Sequence, residues 1–593
     1  MRTNLCLAPL LAAASLGAQQ AFPLPVSAAP GSTNATENTA PFLIPARMTQ
    51  TLVTNYNTLL GQGLPASMLN WDMSTFDASG RFIFTPAEVS ARGGGVFRYD
   101  TRTGSLTVLI HGNDTGVRTA NPASWNPQND DYSRCDPCTL TPWNTILWGE
   151  ETTGGRLFEI TNPLDATGPY TVRWLTSIPA VAHEGLRLDA QGSLYFVDED
   201  NSGCIYKFVP TVAGDLSAGQ TFVLSVDGYA ADANARPNES WNSTSNRLTN
   251  RFGAAHWVAL TGVNGQQITV TNPFVYVTAN SGRLAADEVM GTPYGRPEDM
   301  DFNTLADGHQ CIYVSITSEN RVISIELTGS TTAIVREFVN YDTINLATGT
   351  DVNPLQNDPY TNPGGGTVFV TPDNIAVDAF GSVYLVEDDE PNGGDIWKAI
   401  DADKDGVAEA IGIFLSLGVG GSEPTGLFFD PSNPYSCIVN VQHPTSGNNA
   451  TWRIDTRPYA GSDADLVLAS GVNRTASSGP GEFVKNARGG DVIDLHIASP
   501  SHTFDNAPYA VLMQPTITPP VRFLPPLWVS PLSPIVVVNG GFAGGFQFVL
   551  PAGGTTFSLR APAGLTGINV IAQGLAVTQF GALIATDAHE ILF

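Results

Sequence analysis

Carboxylates recur at matching places along this chain, at the polar start of one apolar strand after another, where they could hold hard cations. The candidates begin with Glu88 in Thr85-Pro86-Ala87-Glu88, Glu150 and Glu151 after Thr141-Pro142-Trp143, and Glu184 in His183-Glu184-Gly185. They continue with Glu298 in Arg296-Pro297-Glu298, Asp373 and Asn374 in Pro372-Asp373-Asn374, Glu423, and His443 in Val439-Asn440-Val441-Gln442-His443-Pro444. Carboxylate and amide oxygens are hard ligands suited to calcium or ferric iron, and a lone arginine among them, Arg296, can fork onto a phosphate. One carboxylate at a strand start commonly caps a turn. Four or more brought together are another matter, because unpaired carboxylates facing one another cost energy unless cations sit between them.

Two further motifs could bind metal. Asp401, Asp403 and Asp405 take the first, third and fifth places of a loop with Gly406 at the sixth, which is the opening of a calcium loop. Gly412 stands where a full EF-hand needs Glu, so a structural calcium held by Asp401, Asp403, Asp405 and Glu409 is expected, against a solvated acidic turn. Cys135-Asp136-Pro137-Cys138 reads either as a local disulfide or as one metal-ligating thiolate, with Cys135 the candidate ligand. No second such pair follows, so structural zinc is not expected.

The elements that must position these groups form a repeat. His183-Glu184-Gly185-Leu186-Arg187-Leu188-Asp189 leads through Gly192 to Leu194-Tyr195-Phe196-Val197. Pro372-Asp373-Asn374-Ile375-Ala376-Val377-Asp378 leads through Gly381 to Val383-Tyr384-Leu385-Val386 with the same offsets. Looser copies start at Arg296 and Glu423, and diverged ones near Met73 and Thr141. Six units over residues 40–460 predict an all-β chain whose main body is a six-bladed β-propeller, with the longer intervals as loop insertions. Innermost strands line the central channel, so their starts converge on one end of it. Residues 461–593, rich in Gly, Pro and Ala with alternating strands such as Gln547-Phe548-Val549-Leu550, read as a C-terminal antiparallel β module.

In this order the motifs resemble the PhoX-type alkaline phosphatase family, whose members carry a TPW…EE segment, HEG, RPE, PDN and VNxQHP. The resemblance spans about residues 70–450. It implies a propeller with a central site of ferric iron and calcium that hydrolyses phosphate monoesters through a metal-bound oxygen nucleophile. By that likeness Glu150, Glu184 and Glu298 are metal ligands, Arg296 is a phosphate clamp, and Asp373, Asn374 and Glu423 are further calcium or substrate-side groups. The family's iron-binding cysteine sits in an Asn-Cys-Ala-Gly-Gly loop. Here the loop reads Arg134-Cys135-Asp136-Pro137-Cys138, and either cysteine could serve, or neither. The implied partner is a small phosphate ester. A calcium-dependent lactonase or esterase, and a non-catalytic propeller stabilised by its metals, are the rival readings of the same motifs.

Composition bounds the rest. With 56 acidic and 28 basic residues the formal net charge of -28 excludes nucleic acid and anionic membrane as partners. Residues 1–18 read as a secretory signal peptide and 19–39 as a flexible segment, which predicts a secreted or periplasmic protein. No segment offers the ~20 apolar residues of a membrane span.

Overall fold

The fold was analysed in a computed structural model that describes residues 36–44, 48–353, 369–388, 394–433, 436–456, 465–473, 483–500, 502–516, 527–530, 535–539, 549–565, 567–578 and 581–593. The predicted leader and flexible segment, and Gln547 and Phe548 of the last module, lie outside them. The chain divides into two compact units, Pro23–Asp455 and Thr456–Phe593.

The larger unit is nearly all β. Six strands open six antiparallel runs: β1 (Thr75–Phe76), β2 (Cys135–Leu140), β3 (His183–Leu188), β4 (Pro297–Thr304), β5 (Pro372–Val377) and β6 (Glu423–Phe429). From each of the first five, three further strands follow in spatial order, as sequential hairpins with glycine turns produce. The run from β6 has only two followers, and its fourth strand comes from the beginning of the chain, Met48–Asn55 beside Ala450–Thr456. The six opening strands touch one another in chain order, and β6 returns to touch β1.

The expected loop insertion between the third and fourth runs carries structure of its own. It supplies the strand Gly253–Ala259, which pairs with Asp215–Val226 on one side and Thr332–Val339 on the other. Those two runs thereby merge into one nine-stranded sheet. The same insertion ends in the helix Ser281–Glu288.

Aromatic and branched residues on the pleated faces form the cores between neighbouring sheets. Tyr195, Trp257, Met300 and Ile323 pack together in one such core, and Tyr132, Trp148 and Phe158 in another. Polar clamps fix the opening strands to each other. Arg187 of β3 reaches Asp299 and Asp301 of β4, each at 3.3 Å. The hydroxyl of Thr317 donates to the carbonyl of Pro372 at 2.6 Å.

The smaller unit holds a three-stranded antiparallel sheet and a five-stranded sheet around Leu495, Val511, Ile571 and Ile591. One pair within it, Val484–Asn486 beside Leu583–Leu592, is parallel rather than antiparallel. Among the described residues no helix is long and apolar enough to cross a membrane.

Candidate metal centre

One irregularity recurs in β2, β3, β4, β5 and β6: the pairing register slips by a bulge just after the strand start. A bulge bends the strand and re-aims the neighbouring side chain. In β3 it is possible because Gly185 takes φ +55, where a Cβ would meet the carbonyl oxygen of Glu298 at 2.6 Å. The re-aimed residues converge on a cavity of about 580 Å³.

Asp136, Glu184, Glu298, Asp373 and Glu423 reach the cavity from strand starts. Glu151, Glu199 and Asp388 reach it from the ends of the second strands, and Asp72, Glu88, Arg134, Arg296 and His443 complete its walls. Two triads could each hold a cation, with ligand atoms all within 4.8 Å of one another: Glu151, Glu184 and Glu199, and Glu184, Glu298 and Asp373. Glu184 belongs to both, so it would stand between two neighbouring cations.

Sheet parity explains the composition of this wall. His183 pairs with Asp198, Pro372 with Glu387, and Cys135 with Glu150. Paired residues share one face of the sheet, and the residue after each points to the other. The following residues, Glu184 and Glu199, Asp373 and Asp388, Asp136 and Glu151, are the ones that line the cavity.

The same parity corrects three expected ligands. Cys135 faces away from the cavity, fully buried among Met73, Tyr132 and Trp148. Burial and the charge of Glu150 push its thiol well above the usual range, so it stays a neutral core group. Cys135 and Cys138 are both free, so the disulfide is not formed either.

Glu150 is likewise on the far face. Its carboxylate accepts from Arg118 Nε and Nη2 at 3.0 and 2.7 Å, and from Arg156 Nε and Nη2 at 2.8 Å each. Burial alone would raise its pKa, but the two guanidiniums hold it down to about 2. Its lone pairs are spent on this ion pair and none is left for a metal. Glu150→Ala is expected to cost about 3–5 kcal/mol of stability, because it takes the carboxylate from Arg118 and leaves the buried Arg156 with Asp130 alone, while the bound-cation count stays the same. Denaturant unfolding with parallel metal analysis checks both halves.

Asn374 is the third correction. Its Oδ1 accepts from the Thr425 hydroxyl at 2.5 Å and the Gly426 N–H at 2.6 Å, so it ties β5 to β6 and does not line the cavity. The remaining expected groups, Glu88, Glu151, Glu184, Arg296, Glu298, Asp373, Glu423 and His443, all lie on the cavity wall.

Asp72, Asp136, Glu199, Asp388 and Arg134 were not singled out from sequence. For two of them a signal existed: Glu199 follows Glu184, and Asp388 follows Asp373, by the same fifteen residues of the repeat. Asp136 was hidden inside a motif read for its cysteines.

So many carboxylates in a buried wall cannot all be ionised without cations. Burial first, and then neighbouring negative charge, pushes Asp72 up to about 6, Glu88 and Glu298 up to about 8 and Glu423 up to about 12. Asp136, Glu151, Glu184 and Asp373 are raised well above the ordinary range for the same reasons. Positive charge enters through Arg296, whose Nε is 2.6 Å from Glu199 and whose Nη2 is 3.1 Å from Glu298. Arg134 Nη1 lies 3.5 Å from Glu151. Both guanidiniums remain partly exposed, at 38% and 55%, and can meet a solute.

Away from the cavity, Asp401, Asp403 and Glu409 bring ligand atoms within 4.8 Å of one another. Asp405 does not join them. Its Oδ1 instead accepts the Val407 N–H at 2.8 Å, closing the turn. Asp401→Ala with Asp403→Ala is expected to lower calcium stoichiometry by one and thermal stability with it, leaving activity at saturating calcium intact. Calcium analysis and a melting curve of the double variant check this.

The sheets and the acidic cavity define a β protein whose carboxylate triads could hold cations. Residues 155–445 match the model of the family described as Alkaline phosphatase PhoX, and over that stretch the chain is similar to PhoX-type alkaline phosphatases. No curated protein matches the chain. Among solved structures, a putative oxidoreductase (glucose dehydrogenase) from Thermus thermophilus aligns at 11% identity, covering 69% of this chain and 99% of its own, with TM-score 0.33. The Pan2 WD40 domain of Neurospora crassa aligns at 7% identity over 70% of this chain and 97% of its own, with TM-score 0.32. Likenesses this distant carry no functional argument.

Proposed function

We propose that this chain is a secreted, cation-dependent phosphoric monoester hydrolase acting at the cavity of a six-bladed β-propeller. The propeller reading is supported by the ring of contacts among β1 to β6 and by the final run, which borrows its fourth strand from the beginning of the chain. Export is supported by the short apolar leader. The observation that carries the function is Glu184, shared by two carboxylate triads and facing the same cavity as Arg296.

Glu151, Glu184, Glu199, Glu298 and Asp373 would hold the cations, and the donor set, all carboxylate, fits calcium and also fits ferric iron through oxygen. When bound, such cations bind phosphoryl oxygens, neutralise developing charge and lower the pKa of a nucleophilic water. The chain's own residues do the rest. Arg296 aims its planar fork at the equatorial oxygens of the transferring phosphoryl group, held in place by Glu199 and Glu298. Arg134 offers a second guanidinium on the same wall. His443, whose Nε2 is 3.7 Å from Glu423 Oε1, can hold a proton for the leaving alkoxide.

Arg296→Lys tests the assignment. It keeps the charge and loses the fork, so turnover of a phosphomonoester is expected to fall about a hundredfold, as on removing one donor aimed at transition-state charge, with bound metal unchanged. If Arg296 served only as a partly exposed ion pair, worth about 0–1 kcal/mol, the variant would keep wild-type turnover, and that result sinks the proposal.

A further inference from the structure

The family resemblance calls for a thiolate at this centre, and among the described residues none lines the cavity. β2 turns Cys135 to the far face, and Cys138, past the bulge, is buried in the same core cluster. Bringing Cys135 round would require β2 to slip by one residue, which reverses every side chain of the strand and pushes its core face into the cavity. Asp136 stands at the place that Glu184, Glu298 and Asp373 occupy in the neighbouring strands. It is only 1% exposed, and neither oxygen of its carboxylate has a hydrogen-bond partner. A buried carboxylate without any donor is an uncompensated charge, and on a wall shared with Glu151 and Glu184 what it lacks is a cation.

Building on the cation-centre reading above, we infer that the centre is made of oxygen donors alone, with Asp136 as a ligand in place of the family's cysteine. It takes hard, oxygen-seeking cations of the calcium class and forms no metal–sulfur bond. Asp136 also extends the acidic wall from the Glu151 and Glu184 side toward Asp72 and Glu88, whose charges act on it directly.

The test uses the full chain, produced with both calcium and iron supplied, and reads metal per chain together with X-ray absorption at the edge of whatever metal is bound. Wild type is expected to show oxygen scatterers only. Asp136→Asn is expected to lose one cation per chain, and Asp136→Ala the same. Cys135→Ala and Cys138→Ala, checked for folding by circular dichroism, are expected to keep the full count, with Cys135→Ser and Cys138→Ser as second variants if either fails to fold. Asp136→Cys loaded with ferric iron is expected to gain a visible thiolate-to-iron band that wild type lacks. Sulfur in the wild-type coordination shell, a folded cysteine variant that loses metal, or an unchanged count in both Asp136 variants would each overturn the inference. Because the readout is ligation and not turnover, a protein that passes here yet hydrolyses no phosphomonoester would refute the proposed function alone.

Discussion

Glu184→Gln is expected to abolish phosphomonoester hydrolysis and to release cations from two positions at once. The residue contributes to both triads, Glu151 with Glu199 on one side and Glu298 with Asp373 on the other. A carboxamide of the same shape keeps one oxygen but loses the charge, so both positions lose affinity together. Clustered cations supply several kcal/mol of transition-state charge stabilisation, and losing about 4 kcal/mol is a thousandfold in rate. Turnover should therefore fall by at least about that factor. Glu151→Gln touches one triad only and should release fewer cations. Metal analysis of the two variants beside steady-state kinetics checks the ordering, and equal losses in both would show that Glu184 is not shared.

The second large effect concerns the chelated protein, which is expected to lose stability as pH rises, against the usual behaviour of carboxylates in a folded chain. Asp72 at about 6, Glu88 and Glu298 at about 8 and Glu423 at about 12 all have folded-state values above those of an unfolded chain, near 4. Where folded pKa exceeds unfolded pKa, the native state holds more protons. Its stability is then full below about pH 4 and is lost as pH climbs through the folded values. Between about pH 5 and 9 the metal-free protein should melt at steadily lower temperature. Added calcium takes the place of the protons, and a site held a thousandfold above its Kd contributes about 4 kcal/mol. The calcium-induced rise in melting temperature should therefore be small at pH 5 and large at pH 9. Melting curves across that range with chelator and with calcium measure it, and a chelated protein that grows more stable toward pH 9 would contradict the unpaired state of this wall.

Much of the centre was legible because the repeat has a fixed length. The matching offsets in His183–Val197 and Pro372–Val386 mark equivalent strand starts, and equivalent starts in a ring of sheets must converge. That reasoning reached Glu184, Glu298, Asp373 and Glu423, which do line the cavity. At Glu150 and Cys135 the next residue, Glu151 or Asp136, lines the cavity instead, because adjacent residues of a strand lie on opposite faces and sequence offers no way to choose between them. It missed Asp72, which precedes its strand and enters through a loop.

By itself the sequence determined the β character, the repeat, the excess of acid and the family likeness, since each is written in local patterns of residue type. Only the tertiary structure decided which member of each adjacent pair faces the cavity. That choice is made by strand pairing: once Cys135 is set opposite Glu150, both turn to the core with Arg118 and Arg156, and Asp136 and Glu151 must face the cavity. Side-chain direction in a strand follows register, and register is fixed by partners distant in sequence.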